Sequence, residues 1–205
     1  TAERPTAVSL LVKKRRRWTL LLWLAFFMNY VPLYFLVSWI PKIVMDAGLP
    51  LEHGIYAGVA LNAGGLLGIL IMGYFPDALG LRSFIRHFFL IAAICMIVFA
   101  FSPSQVGFLL TITFLLGLFI SGGLVGLYMV SARIYPTEIC STGVGWGIGA
   151  GRIGAIVGPY LGGLLISLQW STTLNFVLFA CPLVVAAFAA YAIRAPELIG
   201  ESVEE

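Results

Sequence analysis

The chain has 205 residues, of which 60% are hydrophobic and 10% are charged. A soluble domain carries about 25% charged residues, so this composition excludes a water-soluble globule and indicates a membrane protein. The net charge is +3, and five of the twelve Lys and Arg residues form one run, Lys13 to Arg17. Because this run adjoins the first apolar segment, it indicates membrane topology rather than a nucleic-acid site.

Six segments of the chain are apolar over roughly the 20 residues that a helix needs to cross a bilayer. They cover approximately residues 19–41, 54–76, 84–101, 107–130, 143–167 and 173–193. The runs are continuous rather than alternating, which favours helices over the strands of a membrane barrel. We therefore predict an all-α membrane protein with a bundle of six transmembrane helices at 19–193. A tail with the basic run precedes the bundle at 1–18, and an acidic tail follows it at 194–205.

The basic residues also predict the orientation of the bundle. Lysine and arginine crowd the connections and ends at one side of the predicted membrane, and Lys42 alone lies at the other side. Since cytoplasmic loops carry the excess of Lys and Arg, the rich side is expected to be cytoplasmic. With six crossings, both termini then lie in the cytoplasm.

Arg152 is the charged residue that the sequence places deep in the membrane. It is the tenth residue of span five, about 14 Å from the start of that span. A charge there costs about 2.5–3.5 kcal/mol on insertion scales, so the side chain must face a water-filled cavity, a carboxylate or carbonyl groups. No Asp or Glu lies within the six predicted spans. This favours an anchor for an anionic substrate, since guanidinium binds carboxylate bidentately; a structural ion pair stays open as the alternative.

Two amides, Asn29 and Asn62, are predicted at nearly the same depth as Arg152. Substrate sites of secondary transporters lie near the midplane of the membrane. Each amide can therefore contact a substrate, or it can form an ordinary hydrogen bond between helices.

An aromatic stripe follows one face of span one. Its members recur at spacings of four, three and four residues: Trp23, Phe27, Tyr30 and Tyr34. Such a face can stack on an aromatic ligand, with Tyr30 and Tyr34 as the candidate contacts, or it can face lipid or a neighbouring helix.

Small residues recur at helical spacing along span five. Two sets of glycines are spaced by four: Gly143, Gly147 and Gly151, and then Gly154, Gly158 and Gly162. Because small residues at this spacing let helix backbones approach closely, we predict a helix contact centred on Gly147, Gly151, Gly154 and Gly158. Pro159 removes one helical hydrogen bond and can bend the span. Tight packing alone and a hinge that moves during transport both explain the pattern.

The two connections on the basic side of the membrane carry charges. The connection between spans two and three contains Asp77, which can cap a helix N-terminus or pair with Arg82. The connection between spans four and five contains Glu138, which can pair with Arg133 or Arg82, and it ends at Thr142, a suitable helix N-cap. Such pairs form either a static lock or a gate that breaks and reforms with alternating access.

These connections resemble those of a known family. The segment from Gly73 to Arg82 resembles the G-x-x-x-D-x-x-G-x-R/K signature of the major facilitator superfamily. The segment from Tyr135 to Pro159, YPTEICSTGVGWGIGAGRIGAIVGP, resembles the tenth-to-eleventh helix region of the aromatic acid:proton symporter family within that superfamily. The segment from Tyr34 to Pro41, YFLVSWIP, resembles that family's seventh helix. The resemblance covers essentially the whole chain but only the C-terminal half of a full transporter.

The resemblance implies proton-coupled uptake of aromatic carboxylates, such as benzoate and its hydroxylated relatives, through two six-helix bundles in a bacterial inner membrane. The implied partners are a small organic anion, the lipid bilayer and a missing N-terminal half. The proton gradient replaces any cofactor, and no metal or nucleic acid is expected. The family's arginine in its eleventh helix matches Arg152, and its eighth-helix amide resembles Asn62. The chain departs from the family at Cys140 and Ala78, where arginine is usual or frequent, and the family's acidic first-helix motif has no counterpart here.

Two other functions stay open on the residues alone. The substrate can be another organic anion or a sugar-like solute, and the chain can be a truncated six-helix scaffold without its own transport cycle. An enzyme is not expected, because His53 and His87 lie outside the span interiors and no nucleophile–base pair follows from spacing.

Overall fold

The computed structural model describes residues 15–75, 80–101 and 105–194. Within them the regular elements are α1 (Arg16–Asp46), α2 (Leu51–Tyr74), α3 (Leu81–Ala100), α4 (Val106–Ile134), α5 (Thr137–Ser167) and α6 (Thr172–Ala192). All six helices are long and apolar enough to cross a membrane. The prediction of an all-α, six-helix membrane protein is therefore confirmed, while most of the two predicted tails lies outside the described residues.

Several helices extend beyond the apolar runs that predicted them. Helix α1 continues to Asp46, whose carboxylate pairs with Lys42 at 3.1 Å across one helical turn. Helix α5 begins at Thr137, directly after Pro136, so the predicted N-cap at Thr142 is wrong. Pro136 has extended backbone and ends α4, but the polar residues after it form helix at once. Hydropathy could not show where α5 begins. It detects the apolar residues inside the hydrocarbon region, whereas polar residues outside that region can also be helical.

Helices distant in sequence form the main packed pairs of the bundle. Helix α1 packs along α5, α2 along α4, and α3 along α6. Further contacts join α1 to α2, α4 and α6, and α3 to α4. Stacked phenylalanines fix α1 and α3 against α6, since the Phe35 and Phe179 rings lie 3.9 Å apart and the Phe99 and Phe176 rings 4.3 Å apart.

The turn between α4 and α5 is fixed by Tyr135. Its ring lies against Gly143, where a Cβ atom would overlap it. Its hydroxyl donates to Thr19 Oγ1 at 3.1 Å. Burial raises the pKa of the Tyr135 phenol above its usual value, so the hydroxyl stays protonated and serves as donor. The start of α5 is thereby tied to the start of α1.

Candidate functional site

Arg152 lies at the centre of α5, midway between Thr137 and Ser167. Its Nη1 donates to the hydroxyl of Tyr34 on α1 at 2.9 Å, and its guanidinium carbon lies 5.9 Å from the centre of the Tyr30 ring. The side chain is exposed on the surface of this chain. The hydrogen bond to Tyr34 uses one of five N–H donors, so the guanidinium is oriented by α1 and still presents donors outward.

The carboxylates of the described helices all lie in terminal turns, far from Arg152. They are Asp46 at the end of α1, Glu52 at the start of α2 and Glu138 at the start of α5. Glu138 is about 21 Å from Arg152 along the axis of α5 at 1.5 Å per residue. Within the described residues, Arg152 therefore has no acidic side chain at its own depth.

Tyr30 supports Arg152 from inside the bundle. It is buried, and its hydroxyl shares a 3.0 Å hydrogen bond with the hydroxyl of Tyr128 on α4. Its ring stacks on the Tyr34 ring, with centres 5.7 Å apart and planes 10° apart. Tyr30 thus provides a ring face beneath the guanidinium, and of the two predicted tyrosine contacts only Tyr34 is partly exposed.

The aromatic stripe of α1 faces α5. Trp23, at the N-terminal end of the stripe, stacks on Trp146 of α5 with ring centres 5.9 Å apart. Tyr34, at its C-terminal end, accepts the hydrogen bond from Arg152. The sequence left open whether the stripe faces a ligand, lipid or a neighbouring helix. The structure shows contacts between the stripe and the neighbouring helix α5.

The predicted glycines of α5 form the other side of this contact. A Cβ atom on Gly147 would lie 2.9 Å from the Phe26 ring, and one on Gly154 would lie 2.5 Å from the carbonyl oxygen of Phe27. The remaining two contacts are Gly151 on the Tyr30 ring and Gly158 on the Val31 carbonyl. We call this contact the glycine seam: Gly147, Gly151, Gly154 and Gly158 against α1. It brings the two backbones together and so determines how far Arg152 is from Tyr34.

The face of α5 opposite the glycine seam is open. It carries a shallow groove of about 290 Å³ lined by Thr142, Gly145, Trp146 and Gly149. Further along the same face, Ile156 is 73% exposed and Tyr160 is 69% exposed. Arg152 lies at the edge of this open face, six residues and about 9 Å along the helix axis from Trp146.

Among the described residues, neither predicted amide forms a hydrogen bond with Arg152. Asn29 is fully buried, and neither its Oδ1 nor its Nδ2 has a hydrogen-bond partner. It lies five residues before Tyr34, which places the two about 140° apart around α1. Asn62 is exposed, and its Nδ2 donates to the Gly58 carbonyl of its own helix at 2.8 Å. Asn29 therefore lies away from Arg152 around the bundle, whereas a substrate contact by the exposed Asn62 stays a prediction.

Two aromatic residues of the site, Tyr128 and Trp146, were missed by the sequence reasoning. Both lie in apolar spans with no spacing that distinguishes them from core residues. They acquire a role only because α1 packs against both α4 and α5, which no single-helix pattern indicates.

The predicted charge network is only partly described. Asp77 lies outside the described residues. Arg82 donates from Nη2 to the Tyr191 carbonyl, and its guanidinium carbon is 5.1 Å from the centre of the Tyr191 ring. Glu138 and Arg133 are exposed at the adjoining ends of α5 and α4, and Glu138 forms no ion pair with Arg133 or Arg82 in this conformation.

Comparison with known proteins gives the family. A model of the Major Facilitator Superfamily matches residues 59–204. The chain belongs to the major facilitator superfamily. It is 37% identical over 153 residues to the 4-hydroxybenzoate transporter PcaK of Pseudomonas aeruginosa, an alignment that covers 75% of this chain and 34% of that protein. It is 32% identical over 188 residues to the benzoate transport protein of Acinetobacter baylyi, covering 91% of this chain and 40% of that protein.

A third relative extends the same pattern. The chain is 30% identical over 189 residues to the gallate transporter of Pseudomonas putida, covering 92% of this chain and 42% of that protein. The chain thus spans about two fifths of the length of the curated relatives it matches. All three relatives are named as transport proteins.

Proposed function

We propose that this chain is the C-terminal six-helix half of a secondary transporter that couples the uptake of aromatic carboxylates to proton entry. The observation that carries the proposal is Arg152, a cation at the centre of α5 with no carboxylate of the described helices at its depth. A guanidinium held there costs several kcal/mol unless an anion or water stabilises it. A substrate carboxylate supplies that anion during each transport cycle.

The surroundings of Arg152 favour an aromatic acid over an aliphatic one. The N–H groups of Arg152 that are not bonded to Tyr34 donate to the substrate carboxylate, while the hydrogen bond to Tyr34 fixes the orientation of the guanidinium. The open face of α5 then offers Trp146 to the ring of the substrate, and offset stacking of aromatic rings contributes about 0.5–1.5 kcal/mol beyond their area burial. The three relatives described above are named for the transport of 4-hydroxybenzoate, benzoate and gallate.

We place the proton-binding groups in the N-terminal half, outside this chain. The basic residues at one end of the bundle support a cytoplasmic location of that end and of both termini, in a bacterial inner membrane. At this end, we propose Asp77, Arg82, Arg133 and Glu138 as parts of a gate. Glu138 and Arg133 support this assignment, since both are exposed and lie at the adjoining ends of α5 and α4.

Uptake of labelled benzoate and 4-hydroxybenzoate by cells that express the complete transporter tests the proposal. Removing one charge-assisted contact costs about 1.5–3 kcal/mol, so Arg152→Ala is expected to lower kcat/KM by about ten- to a hundredfold, and Arg152→Lys to recover part of it. Lys42→Ala is the control. It removes one positive charge from the exposed C-terminal end of α1, far from Arg152, and should leave uptake within about twofold.

Three results would decide against this function. Unchanged uptake by the Arg152→Ala protein would remove the anchor role. Uptake of an aliphatic acid or a sugar by the unmodified transporter, with no uptake of aromatic acids, would assign the protein to another solute. Absence of transport of every tested solute by the complete protein would favour a scaffold without a transport cycle.

A further inference from the structure

A cluster of arginines lies at one end of the bundle, away from Arg152. Arg17 of α1 and Arg194 after α6 line a cavity of about 470 Å³, together with Trp18 and Tyr191. Tryptophan at this level is typical of the membrane–water interface. The cavity is therefore at the depth of lipid headgroups.

Two more arginines, from α3, converge on the same tyrosine. The guanidinium carbons of Arg82 and Arg86 lie 5.1 and 4.2 Å from the centre of the Tyr191 ring. The ion pair found among the described residues, Lys42–Asp46, is at the opposite end of the bundle. In the described part of the chain, neither the two arginines that line the cavity nor the two at the Tyr191 ring have a carboxylate in salt-bridge range.

An apolar groove continues from this cavity between α1 and α6. Its first part, about 380 Å³, shares Phe188 and Ala192 with the arginine cavity and includes Leu24 of α1. Its second part, about 300 Å³, shares Val185 with the first and includes Met28 of α1. The lining of both parts is almost wholly apolar, so water has nothing to bind there.

The length of this groove fits a lipid chain. From Arg194 to the far end of the second part at Leu178 the rise along α6 is about 24 Å. That exceeds the depth of one leaflet, which is half of a hydrocarbon core about 30 Å thick. A basic pocket between transmembrane helices at the interface is the kind of site that takes phospholipid headgroups.

We propose that this groove between α1 and α6 binds one anionic phospholipid, with its phosphate among Arg17, Arg194 and the arginines over Tyr191, and one acyl chain along Val185. An anionic headgroup fits better than a zwitterionic one because it brings no cation of its own into the cluster. The site is separate from the transport site, since Arg152 lies on α5 at the centre of the membrane.

The C-terminal segment 195–205, which is acidic, is the alternative partner for these arginines. It contains four glutamates, which complement the charge of the cluster. This segment cannot also fill the apolar groove next to the arginines, because moving its charged residues into the hydrocarbon region would carry a large free-energy cost. The joint presence of arginine cavity and apolar groove therefore favours lipid.

Native mass spectrometry of the complete transporter, purified in detergent and titrated with phosphatidylglycerol or with phosphatidylcholine of the same chain length, tests the proposal. The wild type is expected to prefer phosphatidylglycerol. Arg17→Gln combined with Arg194→Gln should reduce that preference about 30-fold, equivalent to about 2 kcal/mol at about 1 kcal/mol for each basic residue near the surface. Arg16→Gln combined with Lys42→Gln removes the same charge outside the groove and should change the preference by less than about threefold.

Val185→Trp provides an independent arm if the arginine variant does not fold. It fills the apolar groove and leaves the arginines in place, so it should weaken long-chain phosphatidylglycerol about tenfold and a short-chain form little. Three results would overturn the proposal: an unchanged preference in both variants, displacement of the lipid by millimolar inorganic phosphate, or a preference that appears only after deletion of residues 195–205. The last would make the acidic tail the native occupant.

Discussion

The substitution Gly154→Ala tests how closely the glycine seam controls the transport site. The new Cβ atom would lie 2.5 Å from the carbonyl oxygen of Phe27, about 0.9 Å short of the 3.4 Å at which ordinary contact begins. The obstacle is backbone, so it cannot rotate away, and α1 and α5 must separate locally. Overpacking of this kind costs about 1–3 kcal/mol. The Arg152–Tyr34 hydrogen bond, 2.9 Å long and two residues from the change, would open beyond useful length and cost about 1 kcal/mol more.

Thermal unfolding of the complete transporter in detergent, together with uptake of labelled benzoate, measures both effects. Gly154→Ala is expected to lower Tm by several degrees and kcat/KM by about tenfold. Gly149→Ala is the matched control for Tm on the same helix, because a Cβ atom there meets nothing within 4 Å and alanine favours helix by about 1 kcal/mol. A Gly154→Ala protein that melts within a degree of the Gly149→Ala protein and transports normally would refute the reasoning.

Three further substitutions test single contacts in the complete transporter. Tyr34→Phe removes the hydroxyl that orients Arg152, so KM for benzoate should rise about three- to tenfold with little loss of Tm; an unchanged KM would contradict that role. Trp39→Phe removes the 3.0 Å hydrogen bond from Nε1 to the Pro159 carbonyl and should destabilise the protein by about 1 kcal/mol, measured as a lower Tm with unchanged substrate preference. Asn29→Leu removes a buried amide without partners, whose burial costs about 1–3 kcal/mol, so Tm should stay equal or rise and uptake stay within twofold; loss of uptake at normal Tm would instead show a substrate contact.

The number and type of helices could be predicted because hydropathy and length decide them in lipid. A backbone that crosses a membrane must satisfy its own hydrogen bonds, and six long apolar runs leave few alternatives. The ends of the helices could not be predicted so well. Helix α5 begins at Thr137 rather than near Thr142, since hydropathy reports where lipid begins and says nothing about where a polar backbone stops being helical.

The depth of each polar residue could also be predicted, whereas its direction around the helix could not. Counting along the chain placed Arg152, Asn29 and Asn62 at one level, and each does lie near the centre of its helix. Rotation about the helix axis depends on which helix packs on which face. Asn29 faces the bundle interior and Arg152 the open face for this reason, although their depths match.

Two sequence patterns jointly contained more information than either did alone. The aromatic stripe of α1 and the glycines of α5 are complementary surfaces, because large rings need small residues opposite them when two backbones come close. Tyr30 of the stripe lies against Gly151, and Phe26, which is outside the stripe, lies against Gly147. With Tyr30 against Gly151, Tyr34 lies one helical turn further along α1, where the long side chain of Arg152 reaches its hydroxyl. The position of the proposed anion anchor is thus a consequence of helix packing, and changes that loosen the glycine seam should affect stability and substrate affinity together.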